Sequence, residues 1–497
     1  MPRDRAIREP WVTNGMVFTA AVMAVYVVAG AANIWRHEMW RDELQTWMVV
    51  TRSATLANLF DSKVYDGHPA AWYLVLYALS RFTQNPLAMQ LLHLAIASLS
   101  VLVFLTYAPF PRWLKAIFAF GYFPLYEYAT ISRNYGAGIL LTFGFCALFA
   151  AQKRKRYLVL STVLFVLMQT SVFGLLLALA FAAFMAADAY VDGTLDIRQP
   201  AVIAAGVVLG LGVLCSVTQM VPPADSGFAT TWQLGLSPAA IGRTFTAIWL
   251  GYVPFPTIGL HFWNTNILTS RPIEFAGSVT MVTVAVLALR SRPTVLFLYV
   301  TGTAAILAFL HVKYFGFVRH QGHLFILLMA CLWLGHRAGQ STSWAGRGGV
   351  LGVLLAIHAG AGLYASGMDW VHPFSASKAA AQFIQRAGMS DLEIAGYRDP
   401  PASAVAGYLK RPFYYLGSQR YGTFILYDRL YAESLVGKAA QDLVSAGEAL
   451  SSRSGRPVLL ILNEPITTAT QPRVAPLAEF TDAIVDTERF YLYLLQR

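Results

Sequence analysis

Two adjacent acidic side chains follow the first apolar run of the chain and are the first candidates for chemistry. Residues 35–44 read WRHEMWRDEL and place Asp42 beside Glu43. Adjacent carboxylates at a membrane boundary are unfavourable unless water or a positive group compensates them. The segment therefore predicts either a wet functional pocket or a plain interfacial collar, in which Trp residues and charges mark where a helix leaves the lipid.

Two further polar segments suit a site on the same side of the membrane. Residues 65–73 read YDGHPAAWY, so that His68 and a proline lead into an aromatic helix. Residues 126–135 end in SRNY, with Arg133 and Tyr135 at the end of an apolar run. The alternative for Arg133 is an arginine that only extends its charge to the membrane interface.

A third polar segment is the short turn 311–323 between two apolar runs. It contains Lys313, Arg319 and three histidines, of which His320 follows Arg319 directly. A plain connecting loop has no need of so many basic side chains beside lipid. The turn is thus either part of a binding site or an anchor for lipid headgroups.

The elements that must position these residues are long apolar helices. The chain has 497 residues, of which 56% are hydrophobic and 13% are charged, and its mean hydropathy is +0.51. A soluble domain carries about 25% charged residues, so the composition indicates a membrane protein. About eleven runs are long enough to span a bilayer, at about 20 residues or somewhat fewer each: 12–34, 86–108, 113–130, 136–152, 157–173, 174–188, 200–220, 274–290, 294–311, 322–336 and 348–366.

Clusters of basic residues orient these spans. The net charge of +11 does not indicate nucleic-acid binding, because Lys and Arg lie in short clusters between apolar runs. These clusters all face the cytoplasm if the chain starts there. The external parts are then 35–85, 131–135, 221–273, 312–321 and everything after 367. The sequence predicts a multi-pass protein of the bacterial inner (plasma) membrane, with its site facing the periplasm.

Two apolar stretches do not fit this count. The segment 68–80 is interpreted as a helix that lies at, or dips in from, the outer interface. The alternative is a true short span, with another candidate run failing to cross. The stretch 244–260 within the external loop 221–273 is interpreted as a second interfacial helix or a re-entrant pair.

The tail differs from the rest in composition and forms a predicted domain of its own. Its apolar density falls, and short β-rich runs at 392–396, 424–427 and 458–462 alternate with helical patterns. We therefore expect a membrane catalytic domain over 1–369 and a small extracytoplasmic α/β domain over 370–497.

The three polar segments, in this order, resemble the GT-C superfamily of membrane glycosyltransferases. The similarity is greatest to the branch of protein O-mannosyltransferases and the aminoarabinose transferases that modify lipid A. It rests on the Asp-Glu pair after the first span, the HPxxWY segment and the SRNY end, and it covers residues 10–190 well. Ala70 stands where the family usually has a second proline, which leaves the His-Pro turn intact.

The resemblance implies a polytopic α-helical GT-C fold and a glycosyltransferase that uses a sugar on a polyprenyl phosphate. The acceptor attacks the anomeric carbon in a single inverting displacement. Asp42 becomes the catalytic base, with Glu43 as its partner, and Arg41 could help to keep Asp42 ionised. Cations would hold the leaving phosphate, a role for which arginine is preferred. The implied substrate-binding residues are His68, Arg133, Tyr135, Lys313, Arg319 and His320.

The expected partners are the lipid-phosphate donor, membrane lipids and an acceptor glycan, lipid or protein, without nucleic acid. No spacing of acidic and histidine residues matches a standard metal site, so no metal site is assigned and no cofactor is obligatory, although a divalent metal is compatible with the family. Two alternatives remain. A transporter or flippase of a lipid-linked sugar would place charges in mid-span and show inverted repeats. A non-catalytic scaffold would instead bind a partner through its soluble tail.

Overall fold

The computed structural model describes residues 10–151, 156–227, 234–336, 344–466 and 473–496, with side chains from residue 15 onward and, after the third gap, from residue 348. Within these ranges the α-helices are α1 (Pro10–Arg36), α2 (Arg41–Arg52), α3 (Leu56–Lys63), α4 (Ala71–Ser80), α5 (Leu87–Tyr107), α6 (Arg112–Ala119), α7 (Tyr135–Ala151), α8 (Tyr157–Met168), α9 (Val172–Val191), α10 (Pro200–Met220), α11 (Pro238–Tyr252), α12 (Arg271–Leu289), α13 (Pro293–Val312), α14 (Val318–Gly335), α15 (Trp344–Val371), α16 (Ser377–Arg386), α17 (Asp399–Leu409), α18 (Arg429–Ser434) and α19 (Ala440–Ser454).

Most of the first fifteen helices form an apolar bundle. Seven of the described helices are long and apolar enough to cross a membrane: α1, α5, α9, α10, α12, α13 and α15. Three shorter apolar helices, α4, α7 and α8, accompany them. The long helices have a high mean hydropathy. They carry aliphatic side chains on the outer face of the bundle as well as on the face packed inside it.

Helix α14 lies in the middle of the bundle, where it packs against α7, α11 and α13. Nearly all of its side chains are buried. Gly322 allows this close packing, since a Cβ atom there would lie 2.3 Å from the ring of Phe123 and 2.5 Å from the hydroxyl of Tyr128. The first turn of α14, which carries Arg319, is thereby held against the segment that precedes α7.

The span expected at 113–130 is not one continuous helix. Helix α6 ends at Ala119, and Tyr122–Glu127 then forms a π-helical turn. Pro124 has no backbone N–H and cannot take part in a regular α-helical ladder, which explains the break. π-Helical turns are frequent at functional sites, and this one leads directly into Arg133.

The two doubtful apolar stretches are short helices. Helix α4, in the segment 68–80, has 10 residues. At about 1.5 Å per residue it is too short for a hydrocarbon core about 30 Å thick. Helix α11 begins at Pro238, earlier than the stretch 244–260 suggested, because Ser237 caps it by accepting a hydrogen bond from the N–H of Ala240.

The tail forms a six-stranded mixed sheet with helices on both faces. Its strands are β1 (Glu393–Tyr397), β2 (Phe413–Tyr415), β3 (Arg420–Gly422), β4 (Val458–Leu462), β5 (Val474–Phe480) and β6 (Phe490–Leu495), in the order β3-β2-β1-β4-β6-β5. Strand β1 is parallel to β2 and β4, and the other pairs are antiparallel. Every residue of β4 is buried, which is typical of a strand covered on both faces.

The tail packs on helix α2, which carries the two adjacent acids. The side-chain amide of Gln45 donates to the carbonyl of Ile425 at 2.7 Å and accepts from its N–H at 2.9 Å. The hydroxyl of Tyr408 donates to the carbonyl of Met39 at 3.3 Å. These contacts fix the position of α2 from the side of the sheet.

Candidate active site

Glu43 is a fully buried carboxylate at the start of α2, with 0% of its surface exposed. It accepts hydrogen bonds from the N–H of Ser132 at 2.7 Å and of Trp40 at 3.3 Å. Its other close partner is Nε2 of His37, at 2.9 Å. Glu43 therefore joins α2 to the segment that carries Arg133, and its oxygens are already occupied.

His37 links this carboxylate to the end of α15. Its Nδ1 lies 2.7 Å from Asp369 Oδ2, opposite the contact with Glu43. Burial alone would lower the pKa of His37, but the two carboxylates, Asp369 foremost, raise it to about 10. A protonated His37 between two carboxylates thus fixes the position at which the chain leaves α1 and enters α2.

Asp42 points in the other direction and meets three arginines. Its Oδ2 lies 3.2 Å from Nη2 of Arg319 and 3.9 Å from Nη1 of Arg133, and its Oδ1 lies 4.0 Å from Nε of Arg41. The Asp42 side chain is 21% exposed, so solvent reaches it. Burial raises its pKa, but the guanidinium groups of Arg133, Arg319 and Arg41 outweigh burial and hold the pKa below its ordinary value.

Arg133 reaches Asp42 from the segment between the π-helical turn and α7. Its Nη1 donates to the backbone carbonyl of Asp42 at 2.5 Å. The neighbouring residues hold this segment in place: the N–H of Ser132 bonds to Glu43, and Nδ2 of Asn134 donates to the carbonyl of Thr170 at 2.8 Å. Nε of Arg133 is buried and has no hydrogen-bond partner among the described residues.

Arg319 lies in the first turn of α14 among three aromatic rings. Its guanidinium carbon is 5.3 Å from the ring centre of Trp40, 5.4 Å from that of Trp263 and 5.1 Å from that of Phe317. The hydroxyl of Tyr128 donates to the Arg319 carbonyl at 2.6 Å. Within the described part of the chain, Nε and Nη1 of Arg319 have no hydrogen-bond partner.

His68, Tyr135 and His320 form a second wall beside these charges. The hydroxyl of Tyr135 lies 2.9 Å from Nε2 of His320, and the ring of His68 packs edge-on against Tyr135. Burial and the positive charge of Arg133 lower the pKa of His68 to about 3. His68 is consequently neutral, and it can offer only one N–H donor and one acceptor.

Lys313 lies at the end of α13, in the turn that leads to α14. It caps the C-terminus of α13, where its N–H bonds to the carbonyl of Phe309 at 3.0 Å. Six of the eight predicted residues, Asp42, His68, Arg133, Tyr135, Arg319 and His320, lie in one connected cluster. Glu43 adjoins the cluster but faces away from it.

Sequence reasoning missed a second charged group behind His68. The hydroxyl of Tyr73 donates to Oδ2 of Asp66, and Lys63 donates to the carbonyls of His68 at 2.6 Å and Gln219 at 3.3 Å. Burial raises the pKa of Asp66 to about 6 and lowers that of Lys63 to about 8. Asp66 lies two residues before His68 in the segment YDGHP. This closeness to the His-Pro turn could have marked Asp66 as a candidate site residue.

The tail also contributes a buried acid that the sequence did not mark. Glu488 accepts from the N–H of Arg41 at 3.2 Å and from its Nη1 at 3.4 Å, and it bonds to the Ser375 hydroxyl at 2.7 Å. Burial raises the pKa of Glu488 to about 7. The first residue of α2 is therefore fixed by the last part of the chain.

The cluster can bind an anion and present a carboxylate beside it. Guanidinium groups form the strongest hydrogen bonds to phosphate oxygens, and two of them here have unused donors. The carboxylate of Asp42 is ionised and partly open to solvent, as a group that accepts a proton or a hydrogen bond must be. No group of three or more metal-binding side chains occurs among the described residues.

Comparison with known proteins identifies the fold. No protein-family profile and no curated protein sequence matches the chain. Two crystal structures of ArnT from Cupriavidus metallidurans do match, each over 98% of both chains. The complex with undecaprenyl phosphate has 13% identity and a TM-score of 0.55, and the apo state has 12% and 0.57. The chain therefore has the ArnT fold, which confirms the predicted polytopic α-helical architecture with a small C-terminal α/β domain.

Proposed function

We propose that this chain is a glycosyltransferase that moves a sugar from a polyprenyl-phosphate donor to an acceptor, with inversion, in a single displacement. The observation that carries the proposal is the meeting of Asp42 with Arg133 and Arg319, which come from three distant parts of the chain. ArnT, which has the same fold, binds undecaprenyl phosphate. A lipid phosphate is thus the natural ligand for the two guanidinium groups.

The unused donors of the two arginines define the phosphate site. Arg319 is only 6% exposed, and aromatic rings surround it, so its charge acts in a medium of low polarity. A phosphate that enters between Arg319 and Arg133 can receive hydrogen bonds from both. Lys313, at the end of α13, is proposed as a further cation for the same phosphate.

Asp42 is proposed as the base that accepts the proton of the acceptor nucleophile. The neighbouring cations hold the pKa of Asp42 low, which keeps it ionised but makes it a weak base. A bound phosphate would share the same guanidinium groups and offset their charge. Asp42 would then become more basic only when the donor is present, which couples proton transfer to donor binding.

The remaining predicted residues support this arrangement. We propose that three ring-bearing residues line the substrate site, because their rings lie together beside Asp42 and the arginines: His68, Tyr135 and His320. Glu43 is proposed as a positioning residue, because its oxygens are engaged by His37, Ser132 and Trp40.

The proposal also has a membrane geometry. The site faces the periplasm in a multi-pass inner-membrane protein, with a membrane catalytic domain over 1–369 and an extracytoplasmic domain over 370–497. The acceptor is a glycan, lipid or protein that approaches from outside. The contacts of the tail with α2 support a role in shaping the acceptor side of the site.

A transfer assay in membranes supplied with labelled donor tests the proposal. Asp42→Asn is expected to reduce release of polyprenyl phosphate and labelling of the acceptor by roughly 10²–10⁴-fold. Asp61→Asn is the matched control, since Asp61 is an exposed acid on α3, and it should transfer normally. Normal transfer by Asp42→Asn would refute the role of Asp42. Label that crosses the membrane without release of polyprenyl phosphate would instead identify a transporter.

A further inference from the structure

A cavity of about 330 Å³ lies beside the charged cluster, between the segment that follows α11 and the turn before α14. Its volume is at the lower end of the roughly 300–1,000 Å³ typical of small-molecule sites. Phe317 lines the cavity, and the same ring contacts the guanidinium of Arg319. Phe317 therefore borders both the cavity and the proposed phosphate site.

Hydrogen bonds within the protein hold several residues of the cavity wall in place. Asn266 accepts hydrogen bonds from Nε1 of Trp249 at 3.2 Å and the N–H of Leu268 at 3.0 Å. The hydroxyls of Thr257 and Thr265 lie 2.8 Å apart. The wall is thus largely preformed, as binding sites for small molecules usually are.

Other polar groups of the lining remain unused. Oε1 of Gln321 and Oδ1 of Asn264 are buried and have no hydrogen-bond partner among the described residues. Unsatisfied buried oxygens are unfavourable, and the terminal amide torsions that direct them are soft. Rotation of these terminal amides toward the cavity would let a hydroxyl-bearing ligand satisfy them.

The charge of the lining restricts the ligand further. Glu274 is the one charged side chain among the described residues that line the cavity, and it is 9% exposed. A carboxylate accepts hydrogen bonds from sugar hydroxyls but repels another acidic group. The site therefore suits a polyol without a carboxylate.

We infer that this cavity holds the sugar of the donor, that the sugar is a monosaccharide without an acidic group, and that Gln321 and Glu274 select it. This inference rests on the proposed function, since it places the sugar next to a phosphate held by Arg319. The phosphate then lies toward Arg319 and the sugar in the cavity, with the anomeric carbon at the edge of Phe317 between them.

The test compares three probes on the whole protein in lipid nanodiscs: undecaprenyl phosphate, the same lipid bearing a neutral hexose, and the same lipid bearing a hexuronic acid. The native protein should bind the neutral glycolipid at least tenfold more tightly than the bare lipid, and the uronic-acid lipid more weakly than the neutral one. Gln321→Leu should reduce the advantage of the neutral sugar by about tenfold. Glu274→Gln should reduce the discrimination against the acidic sugar.

The bare lipid serves as the internal control for folding, and Gln199→Leu, an exposed glutamine before α10, serves as the matched substitution. If native protein and Gln321→Leu bind the bare lipid equally and keep the same preference for the neutral sugar, the sugar site is refuted while the proposed function stands. Equal binding of neutral and acidic sugars by the native protein refutes the selection by Glu274. If the native protein binds none of the three lipids, the proposed function itself fails.

Discussion

Replacement of a carboxylate by its amide should affect different properties at the adjacent acids: stability at Glu43 and sugar transfer at Asp42. Glu43 is fully buried and is one of two carboxylates that compensate His37. Glu43→Gln places an amide against a protonated ring, and removal of one partner from a buried ion pair costs about 3–5 kcal/mol. We expect the free energy of unfolding to fall by about that amount.

Asp42→Asn should lower stability less, since 21% of this side chain is exposed and the substitution keeps the backbone carbonyl that accepts from Arg133. Its effect should fall on transfer instead. Per folded molecule, Asp42→Asn should lose roughly 10²–10⁴-fold in rate, the range of a lost general base. The transfer rate of Glu43→Gln should stay within about tenfold of the native rate, because the native Glu43 carboxylate holds the N–H groups of Ser132 and Trp40 and is not proposed to touch the substrate.

The assay measures denaturant unfolding in detergent and transfer in membranes on the same preparations, with rates divided by the folded fraction. Glu43→Asp, which keeps the charge, provides a second test of whether charge or reach matters. The reasoning is refuted if Glu43→Gln abolishes transfer at native stability. It is equally refuted if Asp42→Asn unfolds the protein more readily than Glu43→Gln.

Three further predictions concern the phosphate site, the tail and the central helix. Arg319→Lys should weaken binding of undecaprenyl phosphate about tenfold, since lysine cannot form two parallel hydrogen bonds; unchanged affinity in a binding titration contradicts the phosphate site. The folded state raises the pKa of Glu488 from 4.5 to about 7, so it binds more protons than the unfolded state between those values. Stability should therefore decline by up to about 3 kcal/mol as the pH rises through this window. Glu488→Gln should flatten this part of the profile of unfolding against pH, and an unaltered profile excludes Glu488 as its source. Gly322→Ala should destabilise the protein by about 1–3 kcal/mol through overcrowding, whereas Gly335→Ala, whose Cβ would meet its nearest neighbour at 3.6 Å, should be nearly neutral in the same thermal-unfolding measurement.

The sequence predicted the parts of the fold that depend on local pattern. Apolar length predicted the long helices, and basic clusters and polar segments indicated where candidate residues lie. It could not predict the break after α6, because a single proline in an apolar run does not reveal how the chain continues. Helix α11 was placed late for a similar reason, since its cap at Ser237 precedes the apolar stretch.

The partners of the site residues were the least predictable part. Arg133 and Arg319 stood out because they lie between apolar runs on the predicted external side, away from the basic clusters predicted to face the cytoplasm. The contact of His37 with Asp369 joins residues 332 positions apart, and that of Arg41 with Glu488 joins residues 447 positions apart. No local pattern marks such pairs. The cavity at Gln321 likewise exists only through the packing of loops, which the sequence does not specify.

The long reach from Glu488 to Arg41 bears on how the protein is made. Residue 41 leaves the ribosome 447 residues before residue 488, so the helix with Asp42 is made long before this contact can form. Contacts between such distant residues form late, after the intervening segments have been ordered. A nascent or truncated chain that ends before Glu488 would hold its bundle in the bilayer without a finished site.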